Sequence, residues 1–236
     1  MTAAEGRMTA DVDARPSAAE LVTELTNLED AKVRAVNEKH GDTHGVNLTK
    51  LRAVAKRVKT QHELSVELWE TQDPNARLLA LLICSPRKFD GDTLDKMLRQ
   101  TQSPKEQDWL VSYVVKKNKS AEELRTRWLA DDDGDVASAG WALTSDRVKK
   151  KPEGLDLSEL LDEIESSMRD APERLQWAMN MCLAYIGIES PEHRDRARNI
   201  GERLEVLKDY PTPPNCTSPF APIWIDEMVR RKEGTA

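Results

Sequence analysis

Trp109, Tyr113 and Lys116 have the spacing in this sequence that most invites a chemical reading. At about 100° per residue, Leu110, Val111, Val114 and Val115 form the apolar stripe of a helix over 105–116, and those three residues fall on the opposite side. Two aromatic rings beside a cation can stack on a base or sugar ring and hold a phosphate; the competing reading is that this side packs on a neighbouring element. Asp108 precedes Trp109 and Asp146 precedes Arg147. Either carboxylate could act as a general base or stabilise a cation, against the simpler reading of ordinary surface acids. Of the two, Asp108 is the candidate catalytic residue. Arg52, Lys56 and Lys59 recur at i, i+4 and i+7, and Arg147 and Lys149 cluster with Lys150 and Lys151. Such cations form a phosphate-contacting rim, a solvated face, or the complement of a helix C-terminal dipole. Trp177 and Asn180 share one side of an apolar stretch with Met181 and Ala184. A helix apolar on two sides is buried or lines a groove, and an Asn there needs a hydrogen-bond partner. Trp141 reads as core or as the edge of a groove.

Other chemistries find no residues. There is no Gly-rich phosphate loop, no HExxH and no paired Cys/His set. His40, His44, His62 and His193 are scattered, and Cys84, Cys182 and Cys216 lie far apart, which points to free thiols in a reducing compartment. Neither a cofactor nor a metal is expected. The net charge of -7 argues against strong non-specific binding to nucleic acid, but leaves room for a local basic stripe. No run approaches the roughly 18 apolar residues of a membrane helix. Met1 to Pro16 reads as a small, polar, disordered tail with a second possible start at Met8, without signal-peptide or transit-peptide character. A cytoplasmic monomer is the expectation.

The elements that must position these residues read as helices throughout. No alternating β-branched run or Asn-Gly hairpin is present. Ser17 precedes a helix over 18–28, Asn47 caps 48–58, Ser103-Pro104 and Ala171-Pro172 open further helices, and Ser120 with Glu123 forms a capping box. About a dozen helices with short connections predict antiparallel neighbours. Trp69, Trp109, Trp141, Trp177 and Trp224 recur at intervals of about 40, 32, 36 and 47 residues, near the roughly 40-residue period of HEAT-type helix pairs. The predicted fold is all-α: a HEAT-like repeat solenoid (α-α superhelix) of antiparallel helix pairs over 17–232.

Gly45-Val46, Leu51-Arg52, Ala55-Lys56, Leu68-Trp69, Ala76-Arg77, Leu78 and Ala80 resemble the DNA alkylation repair family of AlkD-type HEAT-repeat proteins. The likeness continues through Asp108-Trp109, Gly140-Trp141, Gln176-Trp177 with Met179-Asn180, and Cys216-Thr217-Ser218-Pro219, so it spans about Leu21 to Arg231. It implies a solenoid with a basic, concave face for double-stranded DNA. It also implies a metal-free glycosylase that removes cationic N3- or N7-alkylated purines without drawing the base into a tight pocket. In that chemistry an aspartate stabilises the positive charge developing on the sugar, and an alkylated purine is already a good leaving group. With DNA as the ligand, Trp109, Tyr113, Trp141, Trp177 and Asn180 would contact the DNA or lesion, and Arg52, Lys56, Lys59, Lys116, Arg147 and Lys149 the phosphates.

The sequence departs from the family pattern at the chemical centre. Trp109 matches the family's tryptophan, but Tyr113 stands where its aspartate is expected. A phenol supplies a hydroxyl and no carboxylate. The arginine expected after the next tryptophan is replaced around Leu143-Thr144, with Arg147 one turn on, and Trp177 comes earlier in its helix than the pattern has it. Three functions stay open: an alkylpurine DNA glycosylase, a non-catalytic binder of distorted or branched DNA, and a protein-interaction scaffold.

Overall fold

The computed structural model describes residues 15–234. The expected tail, with Met8, therefore lies almost wholly outside the described residues. Thirteen α-helices follow in chain order among these residues: α1 Ala18–Leu28, α2 Ala31–Glu38, α3 Leu48–Val58, α4 His62–Glu70, α5 Pro74–Ile83, α6 Gly91–Arg99, α7 Pro104–Trp109, α8 Ala121–Leu129, α9 Gly134–Lys150, α10 Leu157–Ser167, α11 Glu173–Glu189, α12 Arg194–Leu204 and α13 Ala221–Glu233. The described residues contain no strand, only an isolated antiparallel bridge between Glu29 and Val46. None of the described helices is long and apolar enough to cross a membrane.

Local chemistry sets the helix starts. Asn47 caps α3 by accepting from the Thr49 N–H, and Asp73, Asp90, Asp133 and Asp156 cap α5, α6, α9 and α10 in the same way. The reciprocal capping box is at Ser17 and Glu20. The one expected at Ser120 does not form: Ser120 has φ -83° and ψ 4°, not the extended backbone that aims a hydroxyl at the first turn. Asn118 takes its place, accepting from the Ser120 N–H at 2.8 Å and donating to the Phe89 carbonyl at 2.9 Å. The short helix α2 buries no residue, so no apolar stripe in the sequence announces it.

The described residues form two compact units, one of residues 15–88 with Gln102–Trp109, the other of Phe89–Thr101 with residues 110–234. In the first, α5 is the centre. It is buried nearly all round, including Asn75 and Arg77, and packs against α1, α3, α4 and α7. In the second, α11 is the central helix, as its two apolar sides predict, and packs against α9, α10, α12 and α13. Gly140 lets α8 meet α9 backbone to backbone: a Cβ there would stand 2.4 Å from the Leu129 nitrogen. Trp128, outside the repeating set of tryptophans, is fully buried and donates from Nε1 to Asp95 at 2.8 Å. The three cysteines are free thiols; Cys84 and Cys182 are buried and Cys216 is exposed.

Candidate nucleic-acid interface

In the first unit the site is built on α3 and α7. Helix α3 buries Leu51, Val54 and Val58, which leaves Arg52 and Lys56 exposed on its other side. The Arg52 guanidinium lies 5.2 Å from the centre of the Trp109 ring, within cation–π range. Helix α7 is held from below. Glu106 is 1% exposed and pairs with the buried Arg77 at 3.2 Å, while Arg77 also donates to the Trp69 carbonyl and stacks over the Trp69 ring at 4.8 Å. The Glu106 carboxylate also accepts from the Gln102 N–H at 3.0 Å, and Asp42 accepts from the Lys105 N–H at 2.7 Å. Burial pushes the Glu106 carboxyl up, and the Gln102 N–H and the Arg77 charge offset this only in part. Anchored in this way, α7 exposes Asp108 and buries Trp109.

The straight-helix projection that set Trp109 opposite the apolar stripe needs correction. Trp109 is only 7% exposed. After it the chain winds as a π-helix over Leu110–Val114 and a 3-10 turn over Val115–Lys117, so 100° per residue no longer relates residues on either side of Leu110.

Lys59 does not continue the Arg52–Lys56 row. It ends α3 with φ 61° and ψ -167°, a region that non-glycine residues rarely occupy. It lines a cleft of about 360 Å³ with Arg15, His62, Glu63 and Lys88, where Lys88 pairs with Glu63 at 2.9 Å.

In the second unit, Tyr113 is half-buried in the π-helical turn, with the Lys117 ammonium 5.8 Å from its ring centre. Lys116 reaches Asp146 on α9 at 3.3 Å, and Lys150 reaches the same carboxylate oxygen at 2.9 Å. Burial pushes the Asp146 carboxyl up, but the Lys150 hydrogen bond and the Lys116 charge outweigh it and hold the group below its ordinary value. Lys149 lies over the Tyr185 ring at 5.1 Å. The structure thus brings Lys116 to the basic end of α9. Arg147 is occupied within the fold, donating to Glu122 at 3.1 Å and to the Glu153 carbonyl at 3.2 Å. Trp141 is part of the core of this unit, and Asn180, 1% exposed, donates to the Pro219 carbonyl at 2.8 Å. Trp177 is half-buried and meets Tyr210 edge-on, ring centres 4.9 Å apart.

Sequence reasoning placed Lys150 in the basic cluster but did not link it to Asp146, and it missed Tyr185 and Tyr210 as neighbours of these groups. The i, i+4 spacing of Asp146 and Lys150 was a readable signal; the two tyrosines carried none.

The sequence matches the family model described as DNA alkylation repair enzyme over residues 21–206. An uncharacterized protein of Listeria innocua is 23% identical over 222 residues, covering 90% of this chain and 97% of its own. An uncharacterized protein of Listeria monocytogenes is 25% identical over the same coverage. A solved structure superposes with a TM-score of 0.73 at 20% identity, covering 92% of this chain and 95% of its own. It is described as one of a new family of proteins related to the HEAT-like repeat DNA glycosylases, with affinity for branched DNA structures. The fold of this chain is therefore all-α and HEAT-like.

Proposed function

The chain belongs to the DNA alkylation repair enzyme family, and on that premise we propose that it binds DNA through the phosphate backbone, prefers branched or distorted DNA, and does not cleave the glycosidic bond. The observation that carries the reading is the distribution of charge on α3. Arg57 is neutralised by Glu24 at 2.5 Å, whereas among the described residues Lys56 forms no ion pair and stands exposed on the same helix side as Arg52. In a chain of net charge -7, an exposed cation without an acid beside it is where a polyanion gains most from counterion release. The branched-DNA preference follows the affinity described for the structural relative. The absence of excision follows from Tyr113, which offers a phenol where the family places a carboxylate.

The proposed contacts are Arg52, Lys56 and Lys59 in the first unit, and Tyr113, Lys116, Lys149 and Trp177 in the second. Trp109 supports Arg52 from below. Trp141, Asn180 and Arg147 act by shaping the elements that carry these groups.

The test is fluorescence anisotropy with a synthetic four-way junction and a duplex of the same sequence, across a salt series. The junction should bind tighter, and affinity should fall steeply with salt. Lys56→Glu should weaken both complexes and lower the salt slope by about 0.9 for each phosphate no longer neutralised. Binding that ignores salt, or none at low salt, would refute the reading.

A second reading has one observation in its favour: Asp108 is exposed on α7 directly before Trp109. If Asp108 replaces the family's carboxylate, alkylated duplex DNA should release N7-methylguanine or N3-methyladenine above the spontaneous rate, and Asp108→Asn should abolish that release.

A further inference from the structure

We propose that Lys116 and Lys150 form a clamp for a single DNA phosphate, with Asp146 as the residue that positions both lysines. The proposal rests on the DNA-binding reading above and adds a site to it.

The geometry is that of two cations on one anchor. Both ammonium groups contact Oδ1 of Asp146, at 3.3 Å and 2.9 Å, from elements far apart in sequence: the 3-10 turn after the π-helix and the last turn of α9. Sharing one oxygen keeps the two ammoniums within about 6 Å of each other. Two non-bridging oxygens of one phosphodiester can span that gap. The Asp146 and Lys116 side chains are each 25% exposed, whereas Lys150 is 65% exposed. The carboxylate is thus the floor of the arrangement, and an ammonium forms its open side.

Charge balance says what fits there. One carboxylate against two ammoniums leaves a single positive charge, and a phosphodiester carries a single negative one. The neighbouring groups do not cancel that surplus. Lys149 and Lys117 sit over the Tyr185 and Tyr113 rings, and Lys151 adds another cation. Glu122, an acid held close by, is occupied by Arg125 at 2.8 Å and Arg147 at 3.1 Å. Each lysine has three N–H donors, so each can keep its bond to Asp146 and donate another to an incoming phosphate. Holding two long, flexible side chains in place before the ligand arrives lowers the entropic cost of binding. An acid beside a phosphate is otherwise a repulsive element, and this gives the test its sign.

The experiment measures junction and duplex affinity at several salt concentrations for the wild-type chain, Asp146→Asn, Lys150→Gln, and the double variant. Asn has the size of Asp, Lys150 is mostly exposed, and thermal melts establish that each variant is folded. If Asp146 positions the clamp, Asp146→Asn weakens binding by about three- to tenfold although it removes a negative charge, and the double variant is no weaker than Lys150→Gln, because the residues act as one unit. Lys150→Gln lowers the salt slope by about 0.9. If Asp146 merely screens the lysines, Asp146→Asn binds tighter, and that result overturns the clamp. A Lys150→Gln variant with unchanged affinity and slope overturns it as well. In both cases wild-type binding to the junction persists, so the DNA-binding reading stands; its loss in the wild type would remove that reading and the clamp together.

Discussion

Replacing Arg77 with Ala should destabilise the chain strongly, and more so at high pH than at low. The Arg77 guanidinium faces a carboxylate that is 1% exposed, so solvent cannot screen what is left behind. Without Arg77, Glu106 keeps the Gln102 N–H as a partner, while its Oε1 already lacks a hydrogen bond among the described residues. Breaking a buried pair by removing one partner costs about 3–5 kcal/mol, a large share of a typical total of about 5–15 kcal/mol. For a chain of this length that is a melting-temperature loss of roughly 6–20 °C. The pH dependence follows from the direction of the Glu106 shift. Its carboxyl is already raised by burial, and losing Arg77 raises it further. A raised carboxyl favours the folded state at low pH, and that contribution is lost as pH rises through the folded pKa. The gap between wild type and variant should therefore widen as pH rises above the ordinary carboxylate range. Urea unfolding on either side of that range measures it. Replacing both partners with Arg77→Met and Glu106→Leu should recover most of the loss, since a buried ion pair gains little over apolar residues of similar size. A single-variant loss below about 1 kcal/mol, within the range of an ordinary surface pair, or a loss independent of pH, would refute the reasoning.

Two further outcomes test the second unit. Gly140→Ala places a methyl group 2.4 Å from the Leu129 nitrogen and 2.7 Å from the Trp128 carbonyl carbon, so α8 must retreat from α9. The expected cost is about 1–3 kcal/mol, read as a lower melting temperature; an unchanged melt would show that the helices are not locked there. Burial raises the Asp95 carboxyl, but hydrogen bonds from Trp128 and Arg99 outweigh it and leave the group below its ordinary value. A depressed carboxyl stabilises above its unfolded pKa of about 3.9, and the gain disappears as pH falls through the folded value. Asp95→Asn should lower stability near neutral pH and flatten the acid limb of the unfolding profile, and urea midpoints from acid to neutral pH would show a parallel shift if that account is wrong.

Much of the helical architecture was legible because its signals are local. Ser17, Asn47, Ser103-Pro104 and Ala171-Pro172 mark helix starts through chemistry confined to a few residues. The central position of α11 followed from its apolar character on both sides. Ser120 misled because a capping box requires an extended backbone as well as the right residues, and Asn118, tied to the Phe89 carbonyl, controls the backbone there. Helix α2 left no trace because it buries nothing.

The candidate site was less legible, and the reason is physical. Periodicity assumes constant winding, and the change to a π-helix at Leu110 breaks the projection beyond Trp109. The contacts that define the site also join residues far apart in sequence: Arg52 with Trp109, Arg77 with Glu106, Lys116 with Asp146. Several residues that carried the resemblance have structural explanations. Trp69 and Arg77 anchor α7 through Glu106, Gly140 admits the close approach of α8, and Asn180 ties α11 to the Pro219 carbonyl. Residues of this kind report how the helices pack, and a chain can keep them all while its chemistry changes. Membership of the family is therefore compatible with either outcome for excision, and the proposal that excision is absent rests on position 113. A tyrosine half-buried in a π-turn, with a lysine over its ring, provides a cationic aromatic surface that can meet a nucleic acid, and no carboxylate to stabilise a sugar cation. Restoring the carboxylate with Tyr113→Asp separates the two properties. Base release appearing in that variant and not in the wild type, with junction binding retained, would tie excision to this residue. A variant that binds but still releases nothing would place the difference elsewhere.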